Sequence, residues 1–269
     1  MSYLKLAACW LFSLVMWVFI ALLTTVFLLF ILILKPFETN QRITYRIPNI
    51  WGYLIARVNP FWRIALSGRE HLANGEGAVI VANHKSFADI ICLHLLQIHF
   101  KWIAKDSLFR IPVIGWVMSL VNYIPLQRGR QASIKVTYRE ALTWLGRDIS
   151  IVIFPEGTRN RGAGPGSFKN GAFKLAIEAQ KPVIPVVIHG SDEVTLAGSK
   201  ALSPSMDVSM SILGPIETRG MSAEDFGQLR DRVHAIMSAE YERLALDKAG
   251  EVTGSEAGED SLAPGRIEQ

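Results

Sequence analysis

Ala78-Val79-Ile80-Val81, then Asn83-His84-Lys85-Ser86-Phe87-Ala88-Asp89, then Ile90-Ile91-Cys92-Leu93-His94-Leu95-Leu96: these residues decide how the chain folds. The β-branched run reads as a buried strand and the Leu-rich run as a helix, so Asn83 to Asp89 turns the corner between them. His84 and Asp89 are five apart, and in one continuous helix their side chains would point different ways. With a helix that starts at Ser86, a favoured N-cap residue, His84 stays on the loop and Asp89, in the first turn, reaches back to an imidazole nitrogen. A carboxylate there fixes the ring's tautomer and stabilises its protonated form, as a general base requires. A plainer arrangement fits the same residues. Ser86-x-x-Asp89 is an approximate capping box, in which Asp89 satisfies backbone N–H groups and His84 is an ordinary loop residue. This stretch alone does not choose between them.

Outward from this corner, beyond Ser67, short apolar runs alternate with helical stretches, which predicts an α/β domain with a mostly parallel central sheet. Strands are expected at Ala78 to Val81, Ile149 to Phe154, Val183 to Ile188 and Val208 to Leu213, with weaker ones near Trp62 to Leu66, Trp102 to Ala104 and Tyr123 to Pro125. Helices are expected at Phe87 to Gln97, Val113 to Val121, Gln131 to Leu145, Ala172 to Glu178 and Ala223 to Leu246. Ligands of such sheets gather at the carboxyl ends of the strands, where Asn83-His84 and Pro155-Glu156-Gly157-Thr158-Arg159 both fall. In the second of these blocks Pro155 and Gly157 make a tight exit, while Arg159, Arg161 and Lys169 put cations beside accessible backbone N–H groups. That combination suits an anion, although a solvated basic loop has the same composition. Gly166 to Gly171 has P-loop spacing but continues Ala172-Phe173, the dinucleotide glycine pattern is missing, and there is no Gly-x-Ser-x-Gly elbow. A third block, Lys105 through Arg128, contains Ile111-Pro112-Val113-Ile114-Gly115-Trp116 and ends with Arg128 just after a short apolar run.

The ends of the 269-residue chain differ in kind. No charge occurs between Lys5 and Lys35, and at ~1.5 Å per residue that run exceeds the ~30 Å hydrocarbon layer. It is too long for a secretory signal and lacks a cleavage site, so residues 1–35 read as a retained membrane anchor, spanning or lying in the interface. Lys35, Arg42, Arg46, Arg57 and Arg63 then face a single acid, Glu38, which assigns the following domain to the cytoplasmic side of a bacterial inner membrane or its equivalent. Residues 36–66 mix basic and aromatic side chains, as a surface-lying segment or an amphipathic helix packed on the domain would. Residues 67–248 are the α/β domain. Residues 249–269 read as a disordered tail, where five acids against one arginine give −4. With +4 for the whole chain, residues 1–248 carry +8, favouring anionic partners. Cys9 and Cys92 are too differently placed to pair, no histidine spacing implies a metal, and nothing beyond net charge suggests nucleic acid.

Taken together the blocks resemble the glycerolipid acyltransferase family, most closely its 1-acylglycerol-3-phosphate acyltransferases. Asn83-His84 with Asp89 looks like the first family motif; Lys105, Pro112, Gly115, Ile124 and Arg128 the second; Phe154 to Arg159 the third; and Val183-Ile184-Pro185-Val186-Val187 the fourth. The resemblance implies a mostly parallel sheet flanked by helices, with an N-terminal membrane-anchoring helix. It implies acyl transfer from acyl-CoA or acyl carrier protein, as co-substrate and with no cofactor, to lysophosphatidic acid among membrane phospholipids. His84 becomes the general base and Asp89 its orienting partner. Arg128, Glu156, Gly157 and Arg159 become binders of the glycerol phosphate, with Lys105 as an additional cation. Rival expectations are another lysolipid acceptor (a lysophospholipid or a lyso-ornithine lipid), a hydrolase or thioesterase in which His84 activates water, and a membrane-anchored lipid-binding protein without chemistry.

Overall fold

A computed structural model describes residues 3–38, 43–72, 75, 77–160, 162–196 and 199–259. Arg42, Arg161 and the end of the acidic tail lie outside the described residues. Seven strands form, at each of the places the sequence indicates: β1 (Trp62–Ser67), β2 (Val79–Ala82), β3 (Phe100–Lys105), β4 (Ile124–Leu126), β5 (Ser150–Ile153), β6 (Val183–His189) and β7 (Met206–Ile212). They make one sheet in the order β1-β7-β6-β2-β5-β3-β4. The five strands from β6 to β4 are parallel, β7 is antiparallel to β6, and β1 is parallel to β7.

β2 has no exposed residue, and its alternation divides the core. Ile80 and Ala82 join the cluster containing Met16, Ile20, Ile55, Ile91 and Leu93, from α1 (Tyr3–Leu34), α2 (Arg46–Val58) and α3 (Ala88–His94). Val79 and Val81 join the opposite cluster with Leu145, Phe173 and Val233, from α5 (Gln131–Leu145), α6 (Gly171–Ala179) and α7 (Phe226–Glu259). Each fully buried aliphatic side chain contributes about 1.5–3 kcal/mol. The short α4 (Ile114–Leu120) connects β3 to β4.

Two helices differ from expectation. α3 begins at Ala88, one residue after the expected Phe87, and ends before Leu95, where the chain tightens through Leu95 N–H to Cys92 O and Gln97 takes a φ of 57° on the way to β3. α7 runs on to Glu259, into the stretch read as a tail, with no proline to stop it before Pro264.

α1 is long and apolar enough to cross a membrane. One stripe of it, Cys9, Ser13, Met16, Ile20, Thr24, Leu28 and Ile31, is buried at three- and four-residue spacing against the domain, and the remaining apolar surface is exposed. Polar contacts punctuate this seam. Leu202 N–H donates to Ser13 Oγ at 2.7 Å, Trp51 Nε1–H to Thr24 Oγ1 at 3.0 Å, and Lys35 Nζ to Leu120 O at 2.8 Å. Midway, the Trp17 ring lies 5.4 Å from that of Phe87, so α1 passes over the β2–α3 corner. α2 bridges α1 to α3. A Cβ on Gly52 would meet His94 Cβ at 2.4 Å, so only glycine permits this approach.

Candidate active site

At the β2–α3 corner the two readings of Asn83 to Asp89 turn out to be compatible. Asp89 is fully buried, and its Oδ2 accepts from three donors: His84 Nδ1–H at 2.7 Å, Lys85 N–H at 2.7 Å and Ser86 N–H at 2.9 Å. It therefore caps the chain ahead of α3 and orients the imidazole at once. Because a carboxylate only accepts, Nδ1 carries the proton and the neutral ring's Nε2 is the basic nitrogen. The ring stacks on Phe154, centroids 4.0 Å apart, and the side chain keeps 15% exposure. Ser86 secures the corner differently from an N-cap on its own helix. Its Oγ accepts from Ala88 N–H at 3.0 Å and donates to Ser191 O at 2.7 Å.

The strand end is clamped on both sides. The Asn83 side chain donates to Ile188 O and accepts from Ile188 N–H, each at 2.8 Å, which ties β2 to β6. On the β5 side, Glu156 accepts His84 N–H at 2.9 Å and Gly166 N–H at 3.1 Å, and Asn160 N–H donates to His84 O at 2.8 Å. Glu156 thus differs from the phosphate contact expected of it, since both carboxylate oxygens serve the backbone and a carboxylate repels a phosphate. Burial pushes its carboxyl above the usual range, against the lowering effect of the two N–H bonds. Gly157 takes φ 73°, and Lys169 Nζ lies 2.6 Å from where a Cβ would sit, so the turn requires glycine and brings Lys169 over it.

The remaining expected residues fall on successive strands. His84 follows β2, Arg159 follows β5, Lys105 ends β3 and Arg128 follows β4, and these four strands are adjacent, parallel and in that order. At about 4.8 Å per strand, the ends of β2 and β4 lie about 14 Å apart across the sheet. Lys105, Arg128, Arg159 and Lys169 are all exposed.

Sequence reasoning missed several residues that shape this site. Lys85, within the heptapeptide, donates from Nζ to Gly162 O at 2.6 Å and sits 4.9 Å over the Tyr241 ring. His234 Nε2 donates to Gly166 O at 3.1 Å, and Arg230 to Asn170 Oδ1 at 2.7 Å, so α7 straps the glycine-rich loop from behind. Lys85 lies inside the heptapeptide but its partners do not, and the α7 hydrogen bonds join residues 60 and 68 positions apart and leave no local pattern. A cavity of about 460 Å³ lined by Tyr138, Lys174, Ile177, Glu178, Met221 and Ala223 lies on the α5–α6 side and includes none of these residues. Among the described residues, no group of three His, Cys, Asp or Glu side chains is placed to hold a metal ion.

Known proteins resemble this chain. Residues 63–189 match the sequence model of the acyltransferase family. The chloroplastic 1-acyl-sn-glycerol-3-phosphate acyltransferase of Arabidopsis thaliana is 34% identical over 188 residues, which are 70% of this chain and 52% of the relative. The 1-acyl-sn-glycerol-3-phosphate acyltransferase alpha of Homo sapiens is 30% identical over 190 residues, 70% of this chain and 67% of the relative. The chain spans about half the length of the plant relatives it matches. The crystal structure of the 1-acyl-sn-glycerophosphate acyltransferase of Thermotoga maritima superposes with a TM-score of 0.72 at 24% identity, covering 87% of this chain and 97% of that one, so the two share a fold. By sequence, this chain belongs to the acyltransferase family.

Proposed function

We propose that the protein transfers an acyl chain from an acyl thioester, acyl-CoA or acyl carrier protein, to the free hydroxyl of 1-acylglycerol-3-phosphate, giving phosphatidic acid. The observation that carries this reading is the 2.7 Å His84–Asp89 pair, held at a strand end whose neighbouring strands lead to exposed cations. His84 Nε2 takes the hydroxyl proton as that oxygen attacks the thioester carbonyl. When the tetrahedral intermediate collapses, the C–S bond breaks and the imidazolium returns the proton to the thiolate. The acceptor supplies the nucleophile, so no acyl-enzyme is needed, and one placed base is worth about 10²–10⁴-fold.

Arg159, one strand from the base, holds the acceptor's phosphate, with Lys105 next along the row and Arg128 at its far end. Clamping the phosphate positions the hydroxyl, and such positioning contributes as much as the base or more. The names of the relatives support this acceptor.

Residues 1–35 anchor the domain, and residues 36–66 lie at the lipid surface. Because the α1 seam runs from Cys9 to Ile31, the domain is held against the lipid that α1 occupies. The basic residues after α1 support a cytoplasmic face. The test is full-length protein with a labelled acyl thioester, with and without 1-acylglycerol-3-phosphate. Label is expected in phosphatidic acid only when the acceptor is present. Equal release of free fatty acid without it overturns the reading in favour of a hydrolase.

A further inference from the structure

A second apolar surface flanks α1 and has no partner in the fold. Between β3 and β4 the chain forms a compact knob. A 3₁₀ turn (Asp106–Arg110) leads through Ile111-Pro112-Val113 into α4, and a Cβ on Gly115 would lie 2.2 Å from Phe109 O, so turn and helix are pressed together. Leu108, Ile111, Ile114 and Trp116 nevertheless point outward, at 36%, 42%, 44% and 56% exposure. Clustered apolar exposure of this kind marks an interaction site.

Its occupant is indicated by what lies beside it. Val117 and Leu120 of α4, with Val121, pack against Phe27, Ile31 and Leu34 of α1. At 3.6 residues per turn, Ile114 and Trp116 fall on either side of that α1-facing stripe, so the knob's exposed apolar surface lies beside α1, whose own Val26, Leu29, Phe30 and Ile33 are exposed. The knob is edged by Lys105 and by Arg110, which is paired with Asp106 at 2.9 Å, and Lys35 holds the α1–α4 junction through Leu120 O. Apolar residues with a basic edge and an interfacial tryptophan suit the boundary between acyl chains and anionic headgroups.

We infer that the Asp106–Val121 knob is a second membrane contact, inserted into the same leaflet as α1. The inference rests on reading α1 as a membrane element and goes beyond it. Lys105 ends β3 in register with Leu126, two residues before Arg128, so a knob seated in lipid holds these cations at headgroup level, where the phosphate of an embedded lysolipid lies. The site then faces lipid on two sides, α1 at the base and the knob at the phosphate end.

The test uses full-length protein in nanodiscs of phosphatidylethanolamine and phosphatidylglycerol, some carrying a nitroxide on the acyl chain. An environment-sensitive fluorophore is attached in turn at Ile114→Cys, at Val26→Cys on α1 and at Glu224→Cys, an exposed position on the opposite face of the sheet; Cys9 and Cys92 are buried, and unlabelled parent protein sets the background. Quenching at 114 is expected to match that at 26 and to exceed that at 224 severalfold. Quenching at 26 but not at 114 overturns the inference and leaves the anchor standing. Loss of quenching at both 26 and 114 removes the membrane reading itself. A blue-shifted but unquenched fluorophore at 114 means that protein covers the knob, which also overturns the inference.

Discussion

The two halves of the site are built by opposite means. At the proposed base end everything is fixed before substrate arrives: Asp89 and Asn83 are fully buried, Ser86 nearly so, the Asn83 side chain is tied to β6, and the main-chain N–H and C=O of His84 are bonded to the loop after β5. At the proposed phosphate end Lys105 closes β3 while Arg128 and Arg159 lie on the loops after β4 and β5, and all three are exposed. Proton transfer depends on placement to a few tenths of an ångström, whereas a dianion draws flexible cations to itself. Substitutions at the first end should therefore act on kcat and those at the second on KM.

That contrast breaks first at Asp89. Asp89→Asn preserves shape but removes the charge that stabilises the imidazolium, and a fall in kcat of about 10²–10⁴-fold at nearly constant KM is expected. Steady-state kinetics showing an effect confined to KM would dissolve the distinction. Among the cations, distance along the row predicts a ranking. Arg159→Ala should raise the acceptor KM about 10–100-fold, the worth of one lost charge-assisted contact, with Lys105→Ala next and Arg128→Ala last. A larger effect at Arg128 than at Arg159 would mean that the phosphate sits at the other end of the row. Glu156→Gln separates the halves more finely. It keeps one acceptor oxygen for two N–H donors and should lower kcat by about tenfold, a single hydrogen bond, without moving the acceptor KM. A raised KM alone would return Glu156 to the phosphate end.

The last effect lies away from the chemistry and turns on a contrast between histidines. His94, buried with Nδ1–H donating to Asn49 Oδ1 at 3.1 Å, is pushed by burial down to about 3, and His99, beneath Tyr45, down to about 4. Both folded-state values lie below the ordinary 6.5, so the unfolded chain binds more protons at acid pH. Stability is full above pH 6.5 and declines as pH falls towards 4 and then 3, by up to about 1.4 kcal/mol per histidine for each pH unit. A thermal midpoint that stays level between pH 7 and 4.5 would contradict these placements.

How much of this was legible in the sequence follows the range of the interactions. Strands such as β2 and β6 announce themselves through consecutive β-branched residues, and His84 and Asp89 are close enough in sequence for their pairing to be argued from a turn. The partners of Glu156 were not legible, because His84 N–H is reached only after two strands come side by side. The seam of α1 was hidden for a related reason. Its helix is apolar on every side, so no stripe distinguishes the residues that meet Leu202, Phe87 and Leu120 from those left outside. Ser86 misled by one residue, since Phe87 stands at the N-cap of α3 while the Ser86 hydroxyl serves Ala88 N–H from the turn ahead and Asp89 supplies the other bonds.

The central claim is that His84 Nε2 is the base for an acceptor hydroxyl, and it is tested most directly by His84→Ala in full-length protein that still binds membranes and unfolds at the parent temperature. Acyl transfer to 1-acylglycerol-3-phosphate should fall by at least about 10²-fold with the acceptor KM little changed. Turnover close to that of the parent protein would contradict the account.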